Sequence, residues 1–331
     1  MTTSSRRPTL ADVARLAGTS TAVVSYVVND GPRPVSEKTR AKVQEAIEQL
    51  GYRQNPMASA LMMGRSNLVG LLVPDSSNAF FSEMARKIEQ EAKNREFITI
   101  LGNTAYDAAT EIKYEMAFSD LLPRVIFVTS IDSTAQSKQA GPRIYLHSRP
   151  VNSHDPCVIF DDVGGGILAT EHLISHGFEN IHCVTGPDDF GPSGQRKHGW
   201  EMAMHSAGFS TEGRVHRAPY SRLETESVVK DLLSSPNPPR AIFATTDEQA
   251  IAVLRAATVA GKRVPEDLAI VGFDGIREAL FGSVRITTIS LPLTELARRA
   301  FEVLAGWEDP EAVKQWVLSG SLVLGETCGC D

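Results

Sequence analysis

The sequence predicts a small all-α helix-turn-helix head joined by a short helical linker to an α/β core of two doubly wound lobes. Three observations carry this. The first fifty residues hold three short helical segments, each opened by a capping hydroxyl, with glycines closing two of them. From residue 68 onward, apolar strand-like runs alternate with helix-like segments, as in parallel-sheet proteins. Charge changes sign between the two parts. Residues 1–65 carry nine Lys/Arg against five Asp/Glu and the rest 24 against 35, within a net charge of −7.

Composition narrows the class further. A chain of 331 residues suggests two domains or slightly more, and 42% hydrophobic with 22% charged residues is ordinary for a soluble globular protein. There is no 18-residue apolar run to span a membrane, and Met1–Pro8 leads on without an apolar signal core. Cys157, Cys183, Cys328 and Cys330 are too few for a disulfide scaffold, which favours a reducing cytoplasm. A basic head on an acidic body points to an anionic polymer meeting the head.

In the head, Thr9-Leu10-Ala11-Asp12 reads as a capping box with Asp in the usual Glu place, opening a helix over Leu10–Ala17 that Gly18 stops. Ser20 is a second N-cap, and a second helix is expected over residues 21–29. Helix, a turn of about four residues containing glycine, then helix is the helix-turn-helix arrangement. Val13, Ala14, Ala17, Val23, Val24, Val27 and Val28 would pack the pair, leaving Thr21, Ala22, Ser25, Tyr26 and Asn29 on the other face. Small and hydrogen-bonding side chains at a helix start suit base edges in the major groove. Gly31-Pro32-Arg33-Pro34 cannot be helical; Ser36 then caps a third helix, Glu37–Leu50, ended by Gly51. Asn55-Pro56-Met57-Ala58-Ser59-Ala60-Leu61-Met62 supplies an N-cap, a proline at the first helical position and a run of helix formers too short to be stable alone. Arg53 and Arg65 flank it, and an apolar wedge such as Leu61 can open a base step in the minor groove. Taken alone, the head also fits a generic three-helix interaction domain.

The motifs Thr9-Leu10-Ala11-Asp12-Val13-Ala14, Gly18-Thr19-Ser20, Val24-Ser25, Val27-Val28-Asn29, Val35-Ser36-Glu37-Lys38-Thr39-Arg40, Leu50-Gly51-Tyr52, Asn55 and Ala58-x-x-Leu61 occur in that order. Together they resemble the head of lactose-repressor-type (LacI/GalR family) transcriptional regulators. The resemblance implies a homodimer on a palindromic double-stranded DNA operator, with repression as the usual mode. It implies DNA-binding roles for Thr9, Ser20, Thr21, Ala22, Ser25, Tyr26 and Asn29, with Thr21, Ala22 and Tyr26 in the base-reading slots. It also implies a hinge helix bearing Asn55, Ala58 and Leu61, Leu61 being the minor-groove lever. The expected organisation is a DNA-binding domain over 1–53, hinge helix and linker over 54–66, and a two-lobed effector-binding and dimerisation domain over 67–331.

In the body, strands are expected over Leu68–Val73, 97–101, 125–129, 158–160, Ile181–Thr185, Ala241–Ala244 and 268–273. Helices are expected over 81–95, 108–122, 167–176, 195–207, 225–233, 247–260 and 293–304, the last returning to the first lobe. Ligands in such sheets sit beyond the carboxyl ends of the strands. Ser77-Asn78-Ala79-Phe80-Phe81, Asp162 with Gly164-Gly165, Gly186-Pro187, Arg196 with Gly199, and Val271-Gly272-Phe273-Asp274 resemble the family's effector-binding core, which is periplasmic-binding-protein-like. The effector-binding candidates are Asn78, Phe80, Phe81, Arg149, Arg196, Asp247 and Asp274. Carboxylates and Arg fork pairs of hydroxyls and ring faces cover C–H surfaces, so a sugar or related polar metabolite is the expected effector. A helix N-cap role for Asp247 and a salt-bridge role for Arg196 compete with this. The chain departs from the family pattern at Leu122-Pro123-Arg124, over 130–142 and at His147-Ser148-Arg149.

Other constellations are weaker. Gly164-Gly165-Gly166 lacks the Gly-Lys-Ser/Thr of a phosphate loop. His172 and His176 lie one helical turn apart without His-Glu-x-x-His, and Cys328-Gly329-Cys330 lacks a second ligand pair, so no metal and no cofactor is expected. No serine stands in a nucleophile elbow, and no catalytic residue is expected. The competing functions are a sugar-binding receptor and an enzyme using Asp161, Asp162 or Asp274 as acid and base. A cytoplasmic, nucleoid-associated regulator without membrane contact fits best.

Overall fold

The computed structural model describes residues 7–29, 33–53, 60, 64–129, 142–150, 153–309, 311–312 and 314–330. The hinge residues Asn55, Ala58 and Leu61 lie outside the described residues, as does nearly all of the departing stretch 130–142. The chain divides into two compact units, residues 1–66 and 67–331.

In the first unit, α1 (Leu10–Ala17), α2 (Thr21–Val28) and α3 (Glu37–Leu50) enclose a core of Val13, Ala14, Ala17, Val24, Val27, Val43 and Ala46. Local chemistry sets each boundary. The Thr9 hydroxyl and the Asp12 carboxylate satisfy each other's backbone N–H groups, closing the capping box. Gly18 turns left-handed (φ 64°), and Thr19 N donates to Ala14 O at 2.9 Å, which sets α2 across α1. Ser20 and Ser36 cap α2 and α3. Each such cap contributes about 1 kcal/mol, a large share for so small a core.

The second unit has two lobes. The first contains β1 (Leu68–Val73), α4 (Ala79–Lys93), β2 (Ile98–Asn103), α5 (Ala108–Ser119), β3 (Val125–Val128), β4 (Arg143–His147) and β5 (Cys157–Phe160). The second contains α6 (Asp162–Ser175), β6 (Ile181–Thr185), α7 (Gly191–Ser206), β7 (Val215–Arg217), α8 (Arg222–Leu233), β8 (Ala241–Ala244), α9 (Asp247–Val259), β9 (Ala269–Asp274), α10 (Arg277–Leu280) and β10 (Thr287–Ser290). Helix α11 (Leu293–Ala305) and strand β11 (Gln315–Leu318) return to the first lobe, and β12 (Ser321–Val323) ends in the second. The chain therefore crosses between lobes three times. Phe301 of α11 fixes the return, its buried ring 5.2 Å from Phe127 and 6.2 Å from Phe97.

The sheets run β11-β5-β4-β3-β1-β2, all parallel, and β12-β10-β9-β8-β6-β7, parallel except for β12. In register, Leu71 stands between Leu101 and Phe127, and Ile242 between His182 and Ile270. Helices α6 and α7 cross closely through glycine. A Cβ on Gly166 would sit 2.2 Å from the Arg196 carbonyl oxygen, and one on Gly199 2.2 Å from that of Val163. Gly166 thus serves the helix crossing, while Gly164 lies against the Asp161 carboxylate and Gly165 against the Phe273 ring, which is not an anion cradle.

Candidate functional site

In the head, the exposed start of α2 presents Thr21 and Ala22, with Ser25 and Tyr26 half-buried behind them. The guanidinium of Arg33 lies 5.8 Å from the Tyr26 ring centre, which orients the ring. Asn29 is the C-cap, its side-chain amide donating to Ser25 O at 3.0 Å. Thr9 and Ser20 use their hydroxyls as helix caps. The second helix of the motif therefore offers small polar groups at its tip, an arrangement able to enter a major groove.

In the second unit, a cavity of about 40 Å³ lies between the lobes. The first lobe contributes Asn78, Phe80, Phe81, Tyr106 and His147; the second contributes Pro192, Ser193, Arg196, Tyr220, Thr246 and Asp274. Most follow the carboxyl end of a parallel strand: Asn78 after β1, Tyr106 after β2, His147 ending β4, Tyr220 after β7, Thr246 after β8 and Asp274 ending β9. His147 (φ 67°) and Asp274 (φ 118°) hold left-handed backbone that costs a non-glycine residue of order 1 kcal/mol. Tyr106 and Tyr220 stack across the lobes at 5.8 Å and also line a wider mouth of about 530 Å³. That mouth carries Asp75, Asp107, Glu111 and Asp188, and no basic side chain among the described residues that line it.

Arg196 is the centre of the cavity. Its Nε donates to Asp162 at 2.7 Å, and one terminal nitrogen donates to Asp274 at 2.9 Å and to Thr245 O at 2.8 Å. The guanidinium lies 3.9 Å over the Phe273 ring. The other terminal nitrogen is buried and has no hydrogen-bond partner among the described residues. His147 Nδ1 is in the same condition, with the ring 4.8 Å from Phe80 and 6.1 Å from Phe81. Orphaned buried donors and acceptors are costly, and a polar group entering the cavity could satisfy both atoms.

Burial pushes the Asp274 carboxyl up to about 7 and the Asp162 carboxyl up to about 6, against the opposing pull of Arg196. Two acids share one guanidinium. Burial, with Arg196 nearby, holds the His147 ring well below its ordinary value and therefore neutral. The raised Asp274 value means the folded state keeps a proton that the unfolded chain releases near pH 4. Its contribution to stability is full below pH 4 and is lost as pH rises through 7. Asp274→Asn removes this dependence. Between pH 5 and 7 the wild type should lose about 2 kcal/mol relative to the variant, read from denaturant unfolding at each pH.

Two of the candidates, Asp247 and Arg149, are not among the residues that line the cavity. Asp247 does not line the cavity. It is the first residue of α9, with Thr246 as N-cap, and its carboxylate accepts from Gly275 N (2.7 Å), Ile276 N (2.9 Å) and Thr288 Oγ1 (2.7 Å). It shapes the turn that carries Asp274. Arg149 reaches the Asp155 carbonyl at 3.5 Å and is not among the lining residues, whereas its neighbour His147 is. Asn78, Phe80, Phe81, Arg196 and Asp274 do converge. His147, Tyr106, Tyr220 and Ser193 join them; Tyr106 and Ser193 follow expected strands, whereas His147 and Tyr220 follow strands β4 and β7, which the sequence pattern does not announce. Asp161 caps α6 through Gly164 N and Asp162 is engaged by Arg196, which leaves the acid–base reading without a free carboxylate pair.

Comparisons with known proteins match both units. Residues 9–55 match the model described as bacterial regulatory proteins, lacI family, and residues 170–328 the periplasmic binding protein-like domain. The HTH-type transcriptional regulator DegA of Bacillus subtilis is 34% identical over 302 residues, 88% of each chain. The ribose operon repressor of Escherichia coli is 32% identical over 306 residues, 89% of this chain and 92% of that one. Among solved structures, the lac repressor dimer bound to operator and an anti-inducer superposes with TM-score 0.86 at 23% identity, covering 98% of this chain and 99% of that chain. A CelR–cellobiose complex superposes with TM-score 0.70 at 27% identity, covering 97% and 100%.

Proposed function

Since this chain belongs to the lacI family of bacterial regulatory proteins, we propose that it is a homodimeric repressor whose operator affinity is set by a neutral polyhydroxylated metabolite held between its lobes. It is a transcriptional regulator and not an enzyme. One observation carries the ligand class: the buried, unpartnered nitrogen of Arg196 beside Asp274, in a cavity walled by Phe80 and Phe81. A guanidinium and a carboxylate fork adjacent hydroxyls, and aromatic edges cover sugar C–H groups. The acidic mouth disfavours phosphorylated or other anionic ligands. At about 40 Å³ the inner cavity holds one or two waters, so a ring-sized ligand requires the Tyr106–Tyr220 stack to part. Asn78, Phe80, Phe81, His147, Arg196 and Asp274 are the proposed effector contacts.

On the DNA side, Thr21, Ala22, Ser25 and Tyr26 are the proposed base-reading group, with Thr9, Ser20 and Asn29 beside the backbone and Asn55, Ala58 and Leu61 in the minor groove. A homodimer is supported by exposed apolar side chains on both lobes: Ile98 and Leu101 of edge strand β2, and Leu223, Val259 and Phe281. A thermal-unfolding panel of neutral sugars, alditols, sugar phosphates and nucleobases tests the ligand class. Neutral polyols should raise the midpoint of wild type and not of Asp274→Asn. Stabilisation by phosphates or nucleobases alone would overturn the reading.

A further inference from the structure

Lobe two carries a second cluster remote in sequence from the cleft residues. His172 lies in the last turn of α6 and His176, four residues on, is its C-cap, so their rings share one face, 4.8 Å apart. The C-terminal tail is fastened beside them. Thr327 O accepts from Ile270 N at 2.7 Å, and the buried Thr327 hydroxyl donates to Ile270 O at 2.7 Å and accepts from Thr287 N at 3.0 Å. That places Cys328 in the core. Gly329, at φ 91°, then turns the chain in a way a side-chain-bearing residue resists, bringing Cys330 back to the histidines. Cys330 Sγ lies 3.2 Å from His176 Nε2 and 3.7 Å from His172 Nε2, and one donor atom from each of the four residues lies within 4.8 Å of every other.

We propose that His172, His176, Cys328 and Cys330 form a closed tetrahedral site for zinc. The tail lacks a second ligand pair in sequence; α6 supplies it in space. Zinc–nitrogen bonds of about 2.0–2.1 Å and zinc–sulfur bonds of about 2.3 Å require ligand atoms roughly 3.3–3.8 Å apart, and the two Cys330–histidine distances fall close to that range. Two imidazoles and two thiols with no carboxylate exclude magnesium and calcium and select a thiophilic ion. Bound metal fastens the chain end to the helix whose other end presents Asp162 to Arg196. Each cysteine releases its proton on binding, leaving a neutral Zn(Cys)₂(His)₂ unit.

The test uses untagged full-length protein, reduced with a phosphine, loaded with zinc chloride and gel-filtered. One zinc per chain is expected by elemental analysis. Cobalt substitution should give thiolate-to-metal charge transfer and the intense d–d bands of a tetrahedral centre. His176→Ala and Cys330→Ser alter exposed or half-buried side chains and should fold with the metal-free wild-type melting midpoint, yet each should bind zinc at least about tenfold more weakly. Well under one zinc per chain in wild type, unchanged affinity in both variants, or a cobalt spectrum without charge transfer would overturn the proposal.

Discussion

Arg196→Ala is expected to destabilise the two-lobed core by about 3–5 kcal/mol and to abolish effector binding. The guanidinium neutralises two carboxylates that share its buried environment, Asp162 at 2.7 Å and Asp274 at 2.9 Å. Removing one partner of a buried ion pair leaves an uncompensated charge, which costs more than the pair itself contributed. Here two acids are left, and both escape by taking up protons, so the deficit should grow with pH above about 6–7. Ligand binding fails for a separate reason: the unpartnered nitrogen that awaits the ligand is gone. Arg196→Lys keeps a charge but loses the fork, so it should recover part of the stability and little of the binding. Chemical unfolding at pH 6 and pH 8, with calorimetric titration, separates the effects. A variant as stable as wild type and still binding ligand would place the effector elsewhere.

The second large effect is in the head. Val13→Asp puts an unpaired carboxylate into a core that numbers seven buried side chains among the described residues, Val24 and Val43 included. Such a core cannot absorb a penalty of several kcal/mol, so the head should unfold and specific operator affinity fall at least about a thousandfold, to the non-specific level. Residues 67–331 form their own unit with their own core, so effector binding and the core's melting midpoint should be unchanged. Tyr26→Ala leaves the core intact and should instead alter which sites are bound. Specific binding that survives Val13→Asp would mean that DNA is recognised outside the head.

The head was legible because its signals are local. Thr9, Ser20 and Ser36 begin helices, Gly18 and Gly51 end them, and every boundary falls within a residue of the expectation. The long buried strands were legible for a similar reason, as unbroken apolar runs. Five strands lie outside the expectation: β7 and β12 are three residues long, β11 is a half-buried edge, β10 holds two buried threonines, and β4, although almost wholly buried, opens on Arg143 and ends on His147. Helix starts were read late where the first turn holds glycine or proline, as in Gly191–Ser206. In the cleft, the cavity positions of Arg196 and Asp274 are legible because charged residues after apolar strands stand out. Asp247 satisfied the same rule, yet its carboxylate turns to backbone amides of the next loop, a distinction between lining and supporting layer that only tertiary structure makes. Tyr106, His147 and Tyr220 sit in loops or at a strand end without distinctive spacing, and Tyr106 and Tyr220 meet only when the lobes do. The cysteines and histidines of lobe two were each read as an incomplete pair because about 150 residues of chain separate them.

The central claim is that one free energy links the cleft to the DNA-binding head. Its most direct measurement starts from genomic fragments selected by the full-length protein and from the neutral polyol that most raises its melting midpoint. DNA affinity is measured at fixed salt with and without saturating ligand, and ligand affinity with and without saturating DNA. Both should shift by the same factor, between about 5-fold and 150-fold, and neither should shift in Asp274→Asn. DNA affinity that ignores a ligand bound in the cleft would contradict the link.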